Sequence, residues 1–265
     1  MTSITSPATV GSFALCKPSP WTAWKVERAK GHTGWFLLAA VVVGLMGQGL
    51  GVWNYLNYRD EYFSSDHLGW IAIWVQGSIL VTTVFLPIVY VVTQASVAAS
   101  EFEYRGWLRV ISTDGIATAI TGKLLYALEL AVAGLGVYLL ETLITGFAVG
   151  LSIDGLGPIL VRTVVAMVGA WSIGAAMMFI GVLFTTFPLM TLAGVAGTIA
   201  GLAVTVAGFT LDRFIPFSLI TVGMGARATR SLLDPGDIVM TIVVAAVWII
   251  VCTLGTRWQL RRREW

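Results

Sequence analysis

The amino-acid sequence predicts an all-α, polytopic membrane protein with six transmembrane helices. Three observations carry this. Hydrophobic residues make up 57% of the 265 and charged residues only 11%, with mean hydropathy +0.85; a soluble domain carries about a quarter charged residues. The charged residues are clustered, which leaves apolar stretches at about 35–55, 68–93, 122–150, 159–183, 188–209 and 238–256. Each approaches or exceeds the roughly 20 residues that a bilayer-spanning helix needs. The stretches are continuous rather than alternating, which points to helices and not to barrel strands.

The elements follow in order. Residues 1–20 are rich in Ser, Thr and Pro and read as a mobile cytoplasmic tail. Residues 21–34 combine Trp21 and Trp24 with Lys25, Arg28 and Lys30, a pattern suited to a short helix in the membrane interface. The first span ends in Trp53, Tyr55 and Tyr58, an interfacial aromatic belt, and a short acidic outer loop follows with Asp60, Glu61 and Asp66. Pro87 is expected to kink the second span. A charged block, Glu101 to Arg109, separates it from the third and longest span. Spans four and five meet at an uncharged turn, Phe184 to Pro188. Residues 210–237 form the longest outer loop, and its apolar stretch Phe214 to Val222 is expected to make short or re-entrant helices on the outer surface. Residues 257–265 are a basic cytoplasmic tail.

Charge asymmetry orients the chain. Of the 16 Lys and Arg, Lys17, Lys25, Arg28, Lys30, Arg105, Arg109, Lys123, Arg257, Arg261, Arg262 and Arg263 share one side when both termini lie inside. The other five are Arg59, Arg162, Arg213, Arg227 and Arg230. The excess predicts an N-in, C-in topology, although the arginines after span five oppose it locally. The cations hug the span ends, so lipid headgroups are expected partners and nucleic acid is not. The first apolar run is too long for a signal-peptide core, so no cleavable signal is expected. Cys16 in the tail and Cys252 inside span six fall in different environments, and no disulfide is expected between them.

Few motifs carry chemistry. Ala117 to Leu124 resembles a phosphate-binding loop but lacks its first Gly and final hydroxyl; Gly47-Gln-Gly49-Leu-Gly51 lies inside a span, where no dinucleotide-binding turn forms. No GxSxG or HExxH pattern occurs, and His32 and His67 fall on opposite predicted sides, so no catalytic or metal-ligating set is expected. Gly47 and Gly51, and Gly197 and Gly201, are spaced four apart on single helix faces; they predict close helix packing, either within one subunit or between two. Ionisable residues inside spans are functional candidates. Glu129 and Glu141 qualify in span three, separated by twelve residues and hence about 120° on the helix. The bland alternative is that this long span protrudes and both are hydrated. Gln48 in span one is the other buried polar candidate, for helix bonding or a substrate path.

Around the charged block the chain resembles the six-span permease subunits of ABC-2-type transporters, in particular those of lantibiotic or bacitracin export and immunity. The resemblance rests on Trp24 to Lys30 before span one, Glu101 to Arg109 followed by Ile111 to Gly115 and Lys123, the long third and fourth spans, and Ile215 to Ser218 before span six. It implies a coupling helix between spans two and three that docks on a separate ATPase, with Glu101, Glu103, Arg105 and Arg109 as docking residues. It implies two such ATPases, which bind ATP and Mg, no cofactor on this chain, and a second permease, identical or homologous, meeting spans one and five at the two glycine pairs. The location implied is a bacterial plasma membrane. Two rival expectations remain: an ATP-independent secondary transporter or channel, for which only Glu129 and Glu141 offer an embedded ion or proton site, and a non-transporting sensor or scaffold.

Overall fold

The computed structural model describes residues 19–62, 66–104, 106–112, 115–208, 210–226 and 232–262. Among them there is no strand, and six helices are long and apolar enough to cross a membrane. The N-terminal tail proposed for residues 1–20 falls almost wholly outside the described residues.

Helix α1 (Pro20–Lys30) starts with Pro20 in its first turn and Ser19 as its cap, whose hydroxyl accepts from the Thr22 N–H at 3.2 Å. Helix α2 (Thr33–Tyr62) is the first long apolar helix. The second is continuous but not uniform: α3 (Asp66–Leu80), a π-helical turn at Val81–Phe85, then α4 (Leu86–Glu103). Pro87 follows that turn and cannot donate to it, and the Thr82 hydroxyl donates to the Ser78 carbonyl at 2.8 Å. The expected irregularity is therefore a widened turn just before the proline. Helix α4 runs on through Glu101 and Glu103, so the charged block is split. Its acidic half ends a long helix, and the rest belongs to α5 (Gly106–Ser112).

Helices α6 (Ile116–Ala148), α7 (Leu156–Leu183), α8 (Phe187–Val206) and α10 (Pro235–Arg262) complete the bundle. Helix α6 begins earlier than hydropathy suggests and places Lys123 about two turns inside it. Helix α7 is the central post, 67% buried over its most apolar window against 17% for α10, which rests on α7 at the periphery. The stretch after α8 is not a surface loop. Two 3₁₀ turns (Thr210–Phe214 and Pro216–Ser218) lead into α9 (Leu219–Met224), whose Leu219, Ile220 and Met224 are fully buried. A Cβ at Gly169 of α7 would stand 2.6 Å from the Leu219 carbonyl oxygen, so only glycine admits this approach. The Trp74 indole donates to the Met224 carbonyl at 2.8 Å and locks α9 to α3. Of the expected short or re-entrant helices, the Pro216–Ser218 turn and α9 insert into the bundle end, while Leu211 and Phe214 of the preceding turn stay exposed.

Candidate functional site

One end of the bundle gathers α1, the end of α4, α5, the start of α6 and the ends of α7 and α10. Helix α1 lies across α6 at a crossing of small residues, where a Cβ at Gly122 would meet the Ala23 Cβ at 2.7 Å. That closeness brings Glu27 and Lys30 over Lys123, and the end of α4 brings Glu101. The four form a closed ring. Lys30 Nζ lies 2.9 Å from Glu27 Oε1 and 2.6 Å from Glu101 Oε1; Lys123 Nζ lies 2.9 Å from Glu27 Oε2 and 2.6 Å from Glu101 Oε1. Glu27 and Glu101 are each 4% exposed and Lys123 is 9% exposed.

The ring is neutral, and each ammonium bridges two carboxylates. Taking any one away strands a buried charge, which costs about 3–5 kcal/mol. Two further contacts tie α5 to it. The Lys123 ammonium sits 5.1 Å from the centre of the Trp107 ring. A Cβ at Gly106 would fall on the Glu101 carboxylate, so glycine leaves room for the ring at the start of α5. Trp107 itself is buried with Ile120, Met178, Val182 and Leu260, from α6, α7 and α10. A short helix that would not hold by itself is thereby fixed to three long ones.

Glu129 forms a second attachment for α1. Its Oε2 accepts from the Trp24 indole at 2.8 Å, and its Oε1 lies 3.1 Å from Arg28 Nε. The Arg28 guanidinium also rests 5.5 Å from the Trp24 ring. Glu129 is thus a strut for α1.

The remaining predicted residues separate. Glu101 is buried, and its carboxylate is engaged by two lysines. Glu103 is exposed, beside the exposed Tyr104 and Leu108. Arg105 lies outside the described residues, as does the Arg109 side chain. Gln48 donates to Thr142 Oγ1 at 2.7 Å and accepts from Thr145 Oγ1 at 3.0 Å, so it clasps α2 to α6. Cβ atoms at Gly47 and Gly51 would stand 2.5 Å from the carbonyl oxygens of Gly77 and Ile73 on α3. At Gly197 a Cβ would strike the Phe217 ring at 2.5 Å, and at Gly201 it would stand 3.3 Å from the Phe217 backbone. Both glycine ridges are filled by their own chain. Packing within one subunit is the arrangement observed at all four glycines, with Gly197 still partly exposed. Glu141 is buried between α2 and α6 without a partner for either oxygen.

The opposite end holds a residue that sequence reasoning passed over. Arg162, 2% exposed, donates from Nε to the Leu232 carbonyl and pairs through Nη1 with Asp237 Oδ2 at 3.0 Å. Asp237 also pairs with Arg213 at 3.3 Å. Arg162 thereby staples α7 to the segment before α10 and to α10 itself. These groups border a polar cavity of about 300 Å³, with Thr210 and Asp212 on its wall. The signal in the sequence is a lone arginine inside an apolar run.

The fold and these two polar ends define the class: a helical protein with six helices suited to crossing a membrane, which makes it a multi-pass membrane protein. Comparison with known proteins gives no match, whether among family models, curated proteins or solved structures.

Proposed function

We propose that the chain is the membrane-spanning permease subunit of an ATP-driven exporter, oriented with both termini and α5 in the cytoplasm of a bacterium. The observation that supports this most directly is the Glu27–Lys30–Glu101–Lys123 ring. A short helix between the second and third spans is useful as a handle only if a push on it reaches the spans. The ring, with Trp107, joins α5 to α1, α4 and α6, so displacement of α5 is passed to several helices at once. The resemblance to ABC-2 permeases supplies the rest of the reading: two ATPase subunits carrying ATP and Mg, a second permease, and a cargo drawn from peptide antibiotics, lipids or drugs. The contact surface for the ATPase is Glu103, Tyr104 and Leu108, not Glu101. Of these, Tyr104 edges a cleft of about 460 Å³ between α1 and the α4–α5 corner, lined also by Val26, Lys30 and Glu101.

The test is co-purification and transport. E103K combined with Y104A and L108A is expected to abolish association with the partner ATPase, and ATP-dependent export with it, while thermal stability of the purified permease stays within about 1 kcal/mol of the parent. Export by the purified chain alone, without ATP, would overturn the reading. The ATP-independent alternative has one observation in its favour, the unpartnered Glu141.

A further inference from the structure

Glu141 differs from the carboxylates whose ion pairs are described above. Glu27, Glu101, Glu129 and Asp237 all face Lys or Arg. Glu141 is 8% exposed, and neither of its oxygens has a hydrogen-bond partner. It sits where α2 and α6 run side by side, in a niche made by a missing side chain. A Cβ at Gly44 would stand 1.9 Å from its Oε2.

The polar groups around it are committed elsewhere. Gln48 and Thr142 bond each other, and Thr145 Oγ1 bonds Gln48 and the Glu141 backbone carbonyl. From α6 itself the titratable neighbour is Tyr138, whose hydroxyl points to the Trp74 carbonyl of α3 at 3.4 Å. Helix α2 presents Gly44 and Gln48, and none of the described ion pairs reaches the site. An ionised carboxylate buried here, with no donor or cation beside it among the described residues, costs far more than the same group carrying a proton.

We propose that Glu141 is a proton-binding site at the α2–α6 contact. Packed against Gly44 it is a carboxylic acid. When the contact opens to water, the O–H bond breaks, the proton passes to water and the carboxylate is hydrated. The closed contact therefore binds the proton, so acid conditions favour closure and rising pH favours opening. This inference does not rest on the ATP-driven reading, because it concerns the isolated chain.

The test is labelling of the purified full chain with dicyclohexylcarbodiimide, without nucleotide or ATPase. The reagent adds a protonated carboxyl across its C=N bond and leaves a stable N-acylurea that mass spectrometry locates. The expected result is an adduct on Glu141 and none on Glu129, with initial labelling falling about tenfold per pH unit above the site's midpoint, and with the adduct lost in E141Q. No adduct at Glu141 at any pH, or labelling that ignores pH, would overturn the proposal. Should E141Q fail to fold, the infrared spectrum of the parent decides. A protonated-carboxyl C=O band at neutral pH that disappears in alkali supports the site, and absence of the band at neutral pH rejects it.

Discussion

The Nζ of Lys123, in the second turn of α6, stands 2.6 Å from Oε1 of Glu101, the last buried carboxylate of α4. Lys30 of α1 reaches the same oxygen at 2.6 Å. One carboxylate oxygen thus joins three helices.

Lys123→Met is expected to lower stability by about 3–5 kcal/mol, because Glu27 and Glu101 lose a shared cation in a buried place. K123M combined with E101Q should recover part of that loss. Thermal unfolding of the purified chain measures both, and strictly additive losses would argue against a coupled ring.

The glycines of α2 predict a contrast within one helix. Gly47 and Gly51 meet the backbone of α3, while a Cβ at Gly49 would touch nothing within 4 Å. G51A should cost about 1–3 kcal/mol through overpacking, and G49A should cost nothing measurable. Because the effect is within the chain, it should appear at every protein concentration. A loss seen only where copies associate would restore the subunit-interface reading.

Arg162 predicts strong coupling at the other end. R162M should destabilise by about 1–3 kcal/mol, because the Leu232 carbonyl loses its donor while Asp237 keeps Arg213. D237N should cost more, about 3–5 kcal/mol, because it leaves the buried Arg162 guanidinium without its carboxylate. A double-mutant cycle is expected to show an interaction well above the scatter of independent sites, about 0.5 kcal/mol.

Gln48→Leu removes the α2–α6 clasp. Side-chain hydrogen bonds between membrane helices average about 0.6 kcal/mol with a maximum near 1.7, and Q48L should fall in that range. Destabilisation several times larger would mean that Gln48 does more than bond Thr142 and Thr145.

Cysteines placed at Leu108 and Ile153 test orientation. Leu108 shares its end of the bundle with α1, and the exposed Ile153 lies at the other, between α6 and α7. In right-side-out vesicles a membrane-impermeant thiol reagent should modify I153C and spare L108C. The reverse pattern would place the termini outside.

Six long apolar helices were legible in the sequence because length and hydropathy alone set what a bilayer accepts. Pro87 likewise announced an irregular second span, since a missing N–H acts locally whatever surrounds it. Glu101 was legible as a charge between spans but not as a buried one. Its partners are 22 and 71 residues away, and no local pattern joins them. Short helices were legible in the α9 segment because it is too short to span; their burial comes from packing on α7, α3 and α10, which no local pattern shows.

The sequence by itself determined the class of molecule, the helices and the charged block at Glu101 to Arg109, because each follows from chemistry local to a stretch of chain. Only the tertiary structure decided which charges meet. It turned Glu101 inward onto Lys30 and Lys123, gave Glu129 to Trp24 and Arg28, closed both glycine ridges within one chain and left Glu141 alone beside Gly44. The reason is physical: pairing, burial and close approach depend on distances between helices, and those are fixed only when side chains far apart in sequence pack together.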